Sequence, residues 1–454
     1  MRTNIKHYLA SLGPDRLTVW RWHLFAGLFC LPFVALLCLT GSIYLFKPQI
    51  EGWIDWKYDH LPAAISSSPQ EDVNSALKAV PGGSFLAYEL PTSPHSAARI
   101  LVNGANGEAV RVYVERNHHA VLKTVLEEDR FERLVFKLHG QLLLGNLGSV
   151  IMEMVASWTI VLVVSGLWLW WPRNQRGLAG VLYPRLTQTG RARWRDFHAV
   201  TGVWVSIVLT LFLISGLPWS YVWGHALLSV ENTASHITSV KDWEIGAVPA
   251  QETIAGHPMV SHHEDMPGMD MSEDMPSQVN LDGLNNVTRT AEKLSLAAPV
   301  VITRPAGSDD VWTVRSDAQN RPLRESVKVM GDGHIIAREP FSQKAAIDRV
   351  IGYGVAAHEG HLFGWANQLL NLLVALGLLL MSCAATVLWL KRRPEGKFGA
   401  PPVLPSSRMG LIAIGVLCIL GVLLPELGIS LICIAVAGKL SRLKASRVSR
   451  QETL

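Results

Sequence analysis

Charge is scarce in this chain. Asp, Glu, Lys and Arg make up 17% of its 454 residues, against 49% hydrophobic residues. That balance is low for a soluble protein and points to a membrane protein. An excess of one sign is scarcer still. The 41 basic and 37 acidic residues leave a net charge of +4, with no basic run, which argues against a nucleic-acid partner. Cysteine is confined to apolar segments. Cys30, Cys38, Cys383, Cys418 and Cys433 supply no disulfide framework, no CxxC metal site and no CxxCH for covalent haem. Any haem has to be held non-covalently. No GxGxxG occurs, so no flavin or nicotinamide site is evident.

What the chain has instead is long apolar segments. About 20 apolar residues span a bilayer core. Four such segments run over about 24–46, 149–171, 199–223 and 366–390. The first follows a basic N-terminus without a small-residue cleavage pattern, and reads as an uncleaved anchor. Lys and Arg mark the cytoplasmic side. They cluster before the first segment (Arg2, Lys6, Arg16, Arg21), between the second and third (Arg173 to Arg195) and after the fourth (Lys391, Arg392, Arg393). Those parts are expected inside, and the two long polar regions outside. A fifth apolar block, 411–437, has basic flanks and Pro425-Glu426 in its middle. Two inside flanks imply a hairpin of short helices turning at Pro425; a single kinked helix is the alternative.

Each outside region reads as a short helix followed by strands. In the first, a helix over 70–80 precedes LAYEL, RILVN and AVRVYVER. In the second, a helix over 284–294 precedes VVITR, VWTVR, ESVKVM and HIIARE. These predict two small α+β modules. The chain then divides into a tail and first span (1–48), a first outside module (49–130), an amphipathic lead-in and second span (131–171), and an inside loop (172–198). The third span (199–224), an outside linker (225–279), a second outside module (280–341) and a lead-in with the fourth span (342–391) follow. An inside linker (392–408), the hairpin (409–439) and an inside tail (440–454) complete it.

The linker contains HPMVSHHEDMPGMDMSEDMP, 257–276. It lacks apolar periodicity and is predicted to be disordered. Its His257, Met259, His262, His263, Met266, Met269, Met271 and Met275 combine thioether and imidazole, which suit soft or borderline ions, copper above all. Five of the chain's 11 methionines fall here.

Self-comparison shows one unit used twice. RWHLFAG at 21–27 matches DFHAVTG at 196–202. The separation from histidine to a later hydroxyl-Gly pair is 18 residues in both (41 − 23 and 216 − 198). LHGQLLLG at 138–145 matches AHEGHLFG at 357–364, and from histidine to a closing tryptophan is 31 in both (170 − 139 and 389 − 358). Four histidines thus occupy equivalent places: His23 and His198 at the inside ends, His139 and His358 at the outside ends. A two-fold arrangement would face each with its equivalent, and two facing imidazoles on opposed helices hold a six-coordinate haem b. A lone interfacial histidine is more ordinarily bonded to a carbonyl or headgroup; the repeat is what favours ligation here. His361 competes with His358 but aligns with a leucine, and His225 stands at the end of the third span. Both are reserve ligands. Glu153 is the one acid well inside the four spans, read as a partner of the outer cofactor layer, with a structural hydrogen bond as the alternative.

The RWH stretch, LHGQLLLG…SGLWLWWPR, RDFHAVTG and GYGVAAHEGHLFGWANQ…VLWLKRRP resemble the PepSY-associated transmembrane family over roughly 15–400. The resemblance implies a multi-pass protein of the bacterial inner membrane with two periplasmic PepSY-like modules. It also implies a haem-b reductase acting on ferric siderophores, with His23, His139, His198 and His358 as the residues carried over. His361 stands where the family commonly has a basic residue, and the Met/His insert departs from the pattern; both bring copper in beside iron. The expected fold class is a mainly α membrane protein: a four-helix transmembrane bundle from a two-fold repeat, two α+β modules and a C-terminal membrane hairpin. The expected function is electron transfer through two b haems to a periplasmic ferric siderophore or other oxidised metal, with a quinol or partner reductase as donor. Two other classes compete: a copper-binding membrane protein, and a regulatory, peptidase-binding protein without redox chemistry.

Overall fold

The computed structural model describes residues 14–65, 68–172, 177–235, 247, 281–304, 310–393 and 410–451. In chain order, helix α1 (Arg16–Leu45), α2 (Lys47–Ile54) and α3 (Pro69–Ala79) precede strands β1 (Ser84–Glu89), β2 (Ala98–Asn103), β3 (Ala109–Glu115) and β4 (Ala120–Leu126). Helices α4 (Phe131–Gln141), α5 (Gly145–Trp170), α6 (Gly190–Gly216), α7 (Tyr221–Ser235) and α8 (Leu284–Leu294) follow. Then come β5 (Val300–Thr303), β6 (Val311–Ser316), β7 (Glu325–Met330) and β8 (Ile335–Pro340). Helices α9 (Ala346–His358), α10 (Trp365–Leu390), α11 (Leu411–Leu423) and α12 (Pro425–Gln451) end the chain. Two compact units result: Met1–Gly41 with Gly140–Ala226 and Leu373–Leu454, and Ser42–His139 with Leu227–Leu372.

The first unit is helical. Among the described residues four helices are long and apolar enough to cross a membrane: Arg16–Leu45, Gly145–Trp170, Gly190–Trp219 and Trp365–Leu390. The protein is a membrane protein. Its packing is built from large rings and small gaps. Trp22 of α1 stacks on Trp158 of α5 with centroids 6.2 Å apart. Ala26, Cys30, Val155 and Val161 close around them with Leu424 and Leu427. An indole N–H left unbonded in an apolar interior is costly. Trp158 Nε1 donates to Ser430 Oγ at 3.1 Å, and Trp223 Nε1 to the Leu423 carbonyl at 3.0 Å.

The third spanning helix ends before the apolar run that predicts it does. The helix ends at Gly216, passes through one tight turn, Leu217–Trp219, and restarts at Tyr221. Pro218 explains the break: it has no N–H, and its ring collides with the carbonyl four residues back. Helix α4 also ends abruptly. Leu142 and Leu143 take φ of 51° and 59°, a left-handed conformation that costs about 1–2 kcal/mol per residue away from glycine. The corner is held by Gly148, where any Cβ would overlap the Gln141 carbonyl.

The second unit carries the sheet. The sequence predicts two α+β modules; their strands join edge to edge in one eight-stranded sheet in the order β4-β3-β2-β1-β5-β6-β7-β8. Every pairing is antiparallel, and β1 meets β5 at Tyr88↔Ile302 and Glu89↔Val301. The physical reason is the edge. Alone, each module would leave a row of unpaired backbone groups on β1 or β5. Joining them also merges two apolar layers. Val73 and Ala76 of α3, and Leu284, Val287 and Ala291 of α8, share one core with Ile100, Val112, Ile302 and Trp312.

Candidate cofactor site

His23 on α1 and His198 on α6 face one another. Their ring centroids are 6.2 Å apart and their planes 85° from parallel. A metal–imidazole bond is about 2 Å long, so two rings sharing one metal stand with centroids roughly 6 Å apart. The hydrogen bonds define the tautomers. Ser165 Oγ donates its proton to the Val161 carbonyl at 2.6 Å. Its oxygen therefore accepts from His23 Nδ1–H at 2.9 Å. The Met381 carbonyl, which can only accept, takes His198 Nδ1–H at 3.2 Å. Both rings carry a proton on Nδ1, which leaves Nε2 as the atom of each for a metal. Gly166 lets the ring approach α5: a Cβ there would stand 3.1 Å from His23 Cε1. Two residues before His198, Asp196 accepts from Arg185 Nε at 2.7 Å and Nη2 at 2.9 Å, which fixes the start of α6.

The second pair lies in the other unit. His139 sits near the end of α4, and His358 is the last residue of α9. Burial, reinforced by the neighbouring His358, pushes the His139 imidazole down to about 4, so it is neutral at ordinary pH. The carbonyl of His358 is not free: Asn371 Nδ2 on α10 donates to it at 2.9 Å. His361, the competing ligand, has a buried Nε2 with no hydrogen-bond partner, and burial lowers its pKa.

The remaining expected residues make other contacts. Glu153 accepts from the backbone N–H of Val222 at 2.9 Å and of Trp223 at 2.8 Å. It caps the first turn of α7, the helix that Pro218 forces to restart. These bonds are the structural hydrogen bonding that the sequence reading sets beside a role in the outer cofactor layer. His225, on an exposed face of α7, bonds its Nδ1 to the Tyr221 carbonyl of its own helix. The Met/His stretch, with His257, Met259, His262, His263, Met266, Met269, Met271 and Met275, lies outside the described residues. Reasoning from sequence passed over Ser165, Asn367 and Asn371. The amides carried a signal, since NQLLN sets three of them at the start of a spanning helix.

The donor set fits haem. Among the described residues no group of three or more His, Cys, Asp or Glu is arranged to hold a bare metal ion. Facing imidazoles whose Nδ1 atoms are already engaged, as in His23 and His198, suit a metal that brings its own equatorial ligands. Fold and site together define a membrane protein with facing histidines on its spanning helices and an antiparallel sheet as a second unit.

The model of the PepSY-associated TM region matches residues 20–392, and the chain belongs to that family. Helices α11 and α12 lie beyond the matched stretch. No curated protein matches the chain significantly.

Proposed function

We propose that this protein is a haem oxidoreductase of the bacterial inner membrane that passes electrons outward to a ferric siderophore or another oxidised metal in the periplasm. The observation that carries this reading is the 6.2 Å separation of the His23 and His198 rings with both Nδ1 atoms already engaged. Bound at the two histidine pairs, b haems would supply one-electron carriers near each membrane face, dividing a core of about 30 Å into shorter steps. The chain's own work is to hold the imidazoles in place. Ser165 and the Met381 carbonyl orient one pair, and burial keeps His139 neutral. At the substrate, one electron converts ferric to ferrous iron. The lower-charge ion binds hard oxygen ligands more weakly, so the chelate releases it. The donor is a quinol or a partner reductase. Basic flanks support a cytoplasmic N-terminus with both long polar regions in the periplasm.

The test is a dithionite-reduced minus oxidised spectrum of the purified protein with haem quantified, beside His139→Ala and His198→Ala. Two b haems per chain, with each variant losing about one, is the expected result. A wild-type protein free of haem despite ample supply would overturn it.

The Met/His stretch favours copper as an additional metal handled by the same protein. Deleting 257–276 should leave ferric-chelate reduction intact and lower copper binding. Loss of chelate reduction would instead make the stretch part of the reductase.

A further inference from the structure

Helix α9 ends at His358, and the last carbonyls of a helix have no partners within it. Here three in a row are claimed. The Ala356 carbonyl accepts from the backbone N–H of His361 at 2.8 Å and of Leu362 at 3.0 Å. The Ala357 carbonyl accepts from Asn371 Nδ2 at 2.9 Å and Asn367 Nδ2 at 3.1 Å. The His358 carbonyl accepts from Asn371 Nδ2 at 2.9 Å. Asn367 Nδ2 also donates to Asn371 Oδ1 at 3.1 Å, so the two amides orient each other. Both side chains are buried, at 5% and 6% exposure. Amides placed in a spanning helix are costly, and this pair directs its donors at the backbone carrying one histidine.

We propose that Asn371, backed by Asn367, is the positioning residue that makes His358 rather than His361 the haem ligand at this end of the protein. The inference rests on the haem reading above. Three residues beyond His358, His361 keeps a buried Nε2 without a hydrogen-bond partner, chemically as able to bind a metal. The amide clamp holds residues 357 and 358, and His361 lies in the turn that follows them. The matching corner of the first half carries no amide at the two equivalent places. Counting from His139, the places of Asn367 and Asn371 are taken by Gly148 and Met152 (148 − 139 = 367 − 358 = 9; 152 − 139 = 371 − 358 = 13). That corner is fastened by the bare backbone contact of Gly148 on Gln141. The two amides are thus particular to the His358 corner in sequence.

The test uses the full chain made with ample haem. Haem content and the low-spin electron-paramagnetic-resonance signals are recorded for wild type, Asn371→Leu, His361→Ala and the double variant. The signal of the His23–His198 haem serves in every sample as the internal control for folding. His361→Ala should leave both signals in place. Asn371→Leu should weaken retention of the second haem about 10- to 100-fold, the usual effect of removing an outer-shell partner. It should also shift that haem's signal, and the shifted signal should vanish in the double variant. If Asn371→Leu loses both haems, Asn371→Ser, which keeps one donor, is read instead and should show the same selective shift in smaller measure. An Asn371 variant with both signals at wild-type position and occupancy overturns the proposal, as does loss of the second haem in His361→Ala alone. A wild-type protein without haem overturns the function proposed above, a separate failure.

Discussion

Ser165→Ala is the sharpest probe of the first histidine pair. The hydroxyl accepts His23 Nδ1–H at 2.9 Å while giving its own proton to Val161 at 2.6 Å. Alanine removes only the acceptor. The Val161 carbonyl keeps the intrahelical bond of α5, so the loss falls on the imidazole. A buried donor left unsatisfied costs about 1–3 kcal/mol. At about 1.4 kcal/mol per factor of ten, that predicts haem held roughly 5- to 150-fold more weakly by this pair. The range overlaps the effect expected of an outer-shell ligand partner. The assay is haem transfer from the purified protein to excess apomyoglobin, followed at the Soret band. Two phases are expected in wild type, and only the one belonging to the His23–His198 haem should accelerate. Ser165→Thr restores an oxygen at the same position and should return the rate toward wild type. Unchanged transfer and an unchanged low-spin signal in Ser165→Ala would refute the claim that this hydrogen bond orients His23.

Two further outcomes follow from polar groups elsewhere. Glu153→Gln leaves one acceptor oxygen for two N–H groups and removes charge from the start of α7, which should cost about 1–2 kcal/mol. A lower melting temperature with unchanged haem content is expected; haem lost at an unchanged melting temperature would return Glu153 to the cofactor. Asp72, fully buried in the sheet unit, has its carboxyl raised from 3.8 to about 6 by burial, against the opposing pull of His119. The folded state therefore holds this proton over a window in which the unfolded chain has lost it. The stability cost grows as pH rises through that window and is complete above about 6, near 3 kcal/mol in order of magnitude. Asp72→Asn keeps an acceptor for His119 Nδ1 and should be the more stable chain at about pH 7.5, with the advantage gone by about pH 4. Paired thermal melts across that range decide it, and an advantage constant with pH would exclude titration of Asp72 as its source.

The spanning helices were legible because length and hydropathy suffice to mark them. The partnership of His23 with His198 was legible in a different way, through equal spacings in two halves of the chain. What orients those rings was not. Ser165 is one serine among several in α5, and the Met381 acceptor is a backbone carbonyl, which no side chain announces. The interruption at Pro218 was readable from proline chemistry, yet the apolar run masks it when hydropathy alone is followed. The single sheet was out of reach for another reason. Its decisive pairing joins Tyr88 to Ile302, and local alternation describes each strand without naming its neighbour. Asn367 and Asn371 stood in view, because polar residues inside a membrane segment call for a reason.

The β1–β5 seam has a consequence for how the protein is assembled. Antiparallel edges are promiscuous: an exposed one accepts any strand that diffuses to it. Carrying both edges on one polypeptide replaces that search with an intramolecular encounter, at an effective concentration set by the intervening chain and not by how many copies the membrane holds. A protein made in small numbers thereby closes its sheet as readily as an abundant one, and neither edge waits exposed for a stranger.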